Sequence, residues 1–472
     1  MRRLTLAAVL AAVPSLLAAQ SYAQLSEATK AYVAVSEPVV ALTHVRLVDG
    51  TGAAPADEQT VVVENGRIAA VGPAAKVKVP ANARVLDLRG STVLPGIVGL
   101  HDHTFYTTSG RSVQSNFTAP RLYLGSGVTT IRTTGSASPY AELGLKREVE
   151  MGRTPGPRML ITGPYLTGGG ASATMAAITT PEEARRVVGY WADEGATWFK
   201  FYTLVSRESM KAAIDEAHRR GLKLTGHLCS VGYREAVALG IDNLEHSLFA
   251  NSEWDPNKKP DECPATAMQS LKAADVDGDA VHATIRDMVE HKVALTTTPS
   301  VYELFVPNRP PLEQRTMDAM SGETRAEYMA ARERLAQNPD RAIPESLLKK
   351  SLAFDRAFVA AGGLLAAGVD PTGNGGALPG FGDQRNYELL IEGGFTPVQA
   401  IQIMTLNGAK VLGMDRDVGS VAVGKKADLV VVRGDPVARP AEIRQVTVVF
   451  KDGVGYDAPK LVEATKGLVG IR

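Results

Sequence analysis

Hydrophobic and polar positions alternate with period two through much of residues 40–92, the pattern of half-buried strands. Within that stretch Thr60 to Glu64 and Arg67 to Val71 flank Glu64-Asn65-Gly66, a two-residue hairpin signal. The same style returns near the other end, in Asp428-Leu-Val-Val-Val-Arg433 and in Val446 to Phe450 with its Lys451-Asp452-Gly453 turn. Two β segments therefore bracket a long middle. There the pattern changes to eight short apolar runs: Val93–His101, Val128–Thr133, Arg158–Thr162, Thr197–Tyr202, Lys223–His227, Asp242–His246, Val293–Thr297 and Leu364–Asp370. Helical segments separate most of them. Thr180-Pro181-Glu182-Glu183 is a capping box with proline at the first helical position, and Gly195 and Gly221 stand where helices end.

Eight strands alternating with helices over about 280 residues is the scale of a (β/α)8 barrel, with an open doubly wound α/β sheet as the rival. The barrel predicts functional residues at the C-terminal ends of several strands. It also puts two long insertions, 250–292 and 303–345, on the active-site face, as a lid or a specificity wall.

Composition narrows the class. The chain has 472 residues, with 51 Lys+Arg against 51 Asp+Glu, so it lacks the basic excess of a nucleic-acid binder. Hydrophobic residues at 44% and charged residues at 22% are ordinary for a globular protein. Two cysteines rule out a disulfide scaffold and a cysteine-only zinc site. Cys229 and Cys263 can pair with each other in an oxidising compartment and pin the sixth-strand insertion. At the N-terminus Arg2-Arg3, an apolar run from Leu4 to Ala19, and Ser21-Tyr22-Ala23 read as a secretory signal over 1–23, cut after Ala23. The run is short for a membrane span, and no second one follows. The expectation is a periplasmic or secreted protein without stable membrane insertion.

The candidate chemistry sits at strand ends. His101-Asp102-His103 closes the first run, and residues two apart in a strand share a face, which suits a divalent metal. Lys200 lies in the fourth run between phenylalanines; His227 ends the fifth, His246 the sixth and Asp370 the eighth. The other histidines, His44, His218, His282 and His291, fall in helix-like or outer segments and read as surface or packing residues.

These residues, in this order, resemble the metal-dependent amidohydrolase superfamily. Leu94-Pro95-Gly96 precedes His101 and His103, and the tail carries Thr405-Leu-Asn-Gly-Ala-Lys-Val-Leu-Gly413 and then Gly419 to Leu429. The resemblance implies a (β/α)8 barrel over 93–413 and a small composite β-sandwich from 37–92 plus 414–472, in keeping with the two bracketing β segments. It implies two divalent metal ions, usually Zn2+. His101, His103 and Asp370 would hold one and His227 and His246 the other, with a carbamate on Lys200 bridging them. A protonated lysine beside two dications would be repelled, whereas a carbamate is an anion with two oxygens suited to two-metal hydrolysis. A hydroxide between the metals would attack the carbonyl, and Asp370 would carry the proton to the leaving amine. Homo-oligomers are common in the family.

Gly240-Ile-Asp-Asn-Leu-Glu-His246 and Phe395-Thr-Pro-Val-Gln-Ala-Ile401 look like the prolidase-like, imidazolonepropionase-related branch. That implies hydrolysis of amides in dipeptides or N-acyl amino acids with a free carboxylate, ochratoxin-like amides included. The alternative is a phosphotriesterase or lactonase using the same centre. A substrate carboxylate calls for a cation or hydroxyl at the barrel mouth, and Arg132, Tyr233, Tyr302 and Arg385 are the candidates.

Overall fold

Valine-rich strands from the two chain ends pair with one another. The computed structural model describes residues 21–170, 174–338 and 342–471. The leader therefore lies, but for its last three residues, outside the described residues. One nine-stranded sheet runs in the order Val33–Val35, Val454–Asp457, Val446–Lys451, Leu429–Arg433, Ser91–Pro95, Val39–Leu47, Ala56–Glu64, Arg67–Pro73, with Arg84–Asp87 also paired to Val39–Leu47. Chain ends meet where Val431 faces Val93 across an antiparallel pair. Alternate side chains from these strands, among them Val40, Leu42, Val61, Val63, Leu429 and Val431, enclose a separate apolar core. The sheet thus takes in Val33–Val35 and extends to Pro95, beyond the 37–92 span read from sequence.

The run 93–101 is not one strand. It breaks at Gly96, between Ser91–Pro95 in the composite sheet and Ile97–Asp102 in the barrel. A β-carbon on Gly96 would stand 2.1 Å from the Thr129 hydroxyl, so only glycine lets the chain pass this close while changing sheets. The barrel strands are then Ile97–Asp102, Val128–Thr133, the broken run Arg158–Leu160 and Thr162–Thr167, Trp198–Phe201, Lys223–Gly226, Asn243–Glu245, Ala294–Thr297 and Leu365–Ala367, all pairing in parallel. The third strand is the joint of the ring: its first half pairs with the second strand and its second half with the fourth. At the other seam the Asp370 N–H donates to the His101 carbonyl at 2.7 Å, and the Val369 N–H donates to Asp102 Oδ1 at 3.1 Å. Gly368 allows that approach, since a β-carbon there would lie 2.2 Å from the His101 nitrogen. These bonds close a (β/α)8 barrel.

Helices follow the strands and cover the ring. Pro181–Glu194 begins as its sequence requires, with the Thr180 side chain accepting from the Glu183 N–H. Asp275 to Gly278 form a turn that leads into the helix Asp279–Glu290. The insertion after the seventh strand forms Pro299–Glu303, Gln314–Ala319 and Gly322–Gln337. The C-terminal tail returns from the sheet to hold it: Ser321 N–H donates to the Val469 carbonyl and Gly467 N–H to the Asp318 carbonyl. No helix among the described residues is long and apolar enough to cross a membrane.

Cys229 and Cys263 are joined, with their α-carbons 4.9 Å apart and a separation of 34 positions in sequence. The link ties the insertion after the sixth strand to the residue two past His227. Closing such a loop restricts the unfolded chain and contributes about 2–4 kcal/mol. Cys263→Ser is therefore expected to lower the denaturant midpoint, and a thiol reductant to lower that of the parent chain but not of the variant. Equal midpoints for the two proteins without reductant would show that the link does not stabilise the fold.

Candidate metal centre

Side-chain alternation places the first two ligands. His101 and His103 point to the interior, while Asp102 between them turns to the seam and accepts the Val369 N–H. Lys200 projects from the middle of the fourth strand, and His227, His246 and Asp370 stand one, one and three residues past the ends of theirs. His246 and Asp370 both adopt left-handed backbone, with φ of 67° and 48°. Such conformations are costly for residues other than glycine and concentrate where a side chain must be aimed.

The six groups converge. His101 Nε2 lies 3.3 Å from Lys200 Nζ and 3.7 Å from Asp370 Oδ2, and His103 Nε2 lies 3.4 Å from Asp370 Oδ1. The rings of His101 and His227 each stand 4.4 Å from that of His246, centroid to centroid. The nitrogen–carboxylate gaps are long for hydrogen bonds. They suit two donors sharing one ion, because ligands about 2.0–2.1 Å from a tetrahedral metal stand roughly 3.4 Å apart. Candidate ligand atoms of His101, His246 and Asp370 all lie within 4.8 Å of one another. Buried His246 Nε2 has no hydrogen-bond partner, which fits a nitrogen reserved for an ion.

Electrostatics favours the ligand-competent forms. Burial, helped by Lys200, holds the imidazole of His227 down to about 3 and pushes that of His101 well below its ordinary value. Neutral imidazoles carry the lone pair that a metal needs. Burial also pushes the Lys200 ammonium down to about 8, although Glu245 and Asp370 pull the other way. Burial opposes the charge on Asp370, yet His101, His103 and Lys200 together keep its carboxyl well below the usual range, so it is ionised.

Beneath these groups lies Glu245, which the sequence reading passed over. It accepts from His101 Nδ1 at 2.8 Å, Arg132 Nη2 at 2.5 Å, Asn243 Nδ2 at 2.9 Å and the Thr225 hydroxyl. The bond to Glu245 puts the His101 proton on Nδ1 and turns the Nε2 lone pair toward Asp370. A signal was present: Asn243 and Glu245 sit two apart on one face of a buried strand, where unpaired polar groups are not tolerated.

Three of the expected substrate contacts lie away from the cavity. Arg132 is fully buried under the floor, donating to the Leu100 carbonyl and Glu245 with its guanidinium 4.6 Å from the Trp198 ring centre. Tyr233 is buried too, its hydroxyl set against the carbonyls of Glu245 and Ser247. Arg385 is bound by Glu303, Glu388 and Glu392. Only Tyr302 of the four lines the cavity of about 470 Å3 above His101, Lys200, His227, His246 and Asp370. Of the other histidines, His44 pairs with Glu58 and His218 with Asp242, outside this site.

Residues 92–455 match the amidohydrolase family, and the chain belongs to it. The structure resembles that of a Bifidobacterium longum protein assigned as a prolidase, with 26% identity, a TM-score of 0.65, and coverage of 90% of this chain and 98% of that one. It also resembles A. niger ochratoxinase, at 18% identity and a TM-score of 0.65 over 91% and 99% of the two chains. In sequence, adenine deaminase 3 of Rhizobium meliloti (strain 1021) is 49% identical over 83 residues, a match spanning 16% of this chain and only 14% of the deaminase. The fold is shared with these solved structures over about nine-tenths of the chain.

Glu245→Gln keeps the shape but lets the amide donate to His101 and leaves Arg132 without its counter-charge. Metal affinity is expected to fall about 10–100-fold in competition with a chelator. Unfolding free energy should drop by about 3–5 kcal/mol, the usual cost of breaking a buried ion pair. A variant matching the parent in both would remove Glu245 from any positioning role.

Proposed function

We propose that the chain hydrolyses the amide bond of a small molecule or dipeptide at a two-metal centre, with zinc as the expected ion. His101, His103 and Asp370 would hold one ion, His227 and His246 the other, and Lys200, as a carbamate, would join them. The observation that carries this reading is Lys200. Its amine is buried 3.3 Å from His101 Nε2, and its hydrogen-bond contacts are that nitrogen and the Thr134 carbonyl, with no carboxylate in direct contact. A lysine kept for an ion pair would sit against an acid. One whose ammonium is pushed down to about 8 offers neutral amine near pH 7, the form that adds to CO2 and releases a proton.

Bound divalent ions supply Lewis acidity toward the scissile carbonyl and toward water. The protein's own work is positional. Glu245 fixes the His101 tautomer, and the Thr298 hydroxyl, 2.8 Å from His246 Nδ1, orients the second ring. Ionised Asp370 would accept a proton from water and return it to the departing amine nitrogen. The N-terminal leader supports a periplasmic or secreted location, and the Cys229–Cys263 link fits an oxidising compartment.

The test is the zinc-reconstituted protein offered dipeptides and N-acyl amines, with released amine measured. Lys200→Ala is expected to bind fewer zinc ions per chain and lose turnover. Asp370→Asn should retain much of the metal while kcat falls by about 10^2-fold or more. Amide cleavage at the parental rate by Lys200→Ala would contradict the two-metal reading, and turnover of lactones or phosphotriesters without amides would contradict the substrate reading. The lysine chemistry has its own pH signature. A lowered lysine pKa means the neutral fraction grows as pH rises toward 8, so added bicarbonate should speed zinc reconstitution, and at equal dissolved CO2 the gain should be larger at pH 8 than at pH 7. Reconstitution indifferent to bicarbonate would argue against the carbamate.

A further inference from the structure

The wall of the catalytic cavity differs in kind from its floor. Phe105, Tyr165, Tyr202, Tyr302, Phe305 and Met175 make up much of it, and the charged or titratable lining groups below them are His101, Lys200, His227, His246 and Asp370. No arginine is among the described lining residues. Two arginines that sequence order brings near the cavity are committed elsewhere: Arg385 to three glutamates, and Arg111, beside lining residue Ser112, to Glu327 and the Gly470 carbonyl. Arg132 lies under the floor.

The rings are also held in place. Tyr302 stacks on Phe249 with centroids 3.8 Å apart and planes 4° from parallel. Tyr165 and Tyr202 meet edge to face at 5.4 Å. Fixed aromatic faces in a cavity of about 470 Å3 suit an apolar ligand of two small rings. A free carboxylate lying against this wall, away from the floor, would lose water against aromatic carbon and find hydroxyls but no arginine among the described lining residues to replace it.

Building on the amide-hydrolase reading above, we infer that the preferred substrate is an amide of an uncharged, aromatic or bulky apolar amine, carrying no free carboxylate on its amine side. This departs from the carboxylate-bearing substrates that the sequence motifs led us to expect. The wall, rather than the metal floor, makes the choice, because the floor meets only the carbonyl and the leaving nitrogen.

The experiment uses the zinc-loaded full chain and two compounds that differ by one group: N-benzoylphenethylamine and N-benzoyl-L-phenylalanine. Released amine gives kcat/KM for each. The neutral amide is expected to be hydrolysed at least about tenfold more efficiently, mainly through a lower KM. Equal efficiency or a preference for the acid overturns the inference while leaving amide hydrolysis intact. Cleavage of neither, by protein shown to hold two zinc ions, overturns the amide reading and this inference with it.

Discussion

A buried anion at the bottom of the barrel orders the centre above it. Glu245 is fully enclosed, and four groups from four strands spend hydrogen bonds on it: His101, Arg132, Thr225 and Asn243. A carboxylate there is tolerable only because Arg132 supplies the counter-charge, and Arg132 is tolerable only because Glu245, the Leu100 carbonyl and the Trp198 face receive its guanidinium. The pair therefore fixes the relative heights of the first, second, fifth and sixth strands. His101 inherits its orientation from that register. Its neighbour His246 is turned inward by left-handed backbone on the residue that follows Glu245.

The same physics explains which residues were legible in the sequence. Residue types that can bind a metal are few, so His101, His103, Lys200, His227, His246 and Asp370 stood out as candidates at the ends or within the bodies of apolar runs. Their convergence follows from the barrel, which brings strand ends together whatever lies between them. The composite sheet was readable because both of its halves alternate and both end in tight turns. The boundary at Gly96 was not, since nothing local in Val93 to His101 marks a change of sheet; the cause is Thr129, a residue of the next strand.

Arginine and tyrosine roles were misread for a related reason. Arg132 lies near the end of a strand run, as a mouth residue would, yet its partners Leu100, Trp198 and Glu245 come from three other strands. Arg385 opens toward the mouth in sequence order, but Glu303 and Glu392 claim it. A guanidinium is assigned by whichever acid it can reach, and that acid is not visible in one dimension. Glu245 escaped for the converse reason: next to a strand-end histidine it looks like an incidental polar residue until the strand is known to be buried on both faces.

The aromatic wall shows how one barrel divides its labour. Phe105 stands two residues beyond His103, and Tyr202 two beyond Lys200, so the spacing that sets a ligand on the floor sets a ring above it. Those rings cannot change without disturbing the ligand strands. Tyr302 and Phe305 belong instead to the insertion after the seventh strand, which the C-terminal tail fastens through Asp318 and Val469 rather than through the floor. Selectivity that resides in Tyr302 and Phe305 can therefore shift while the metal geometry stays put. A constraint that ties His101 to one buried carboxylate on the floor leaves the other side of the cavity free to vary.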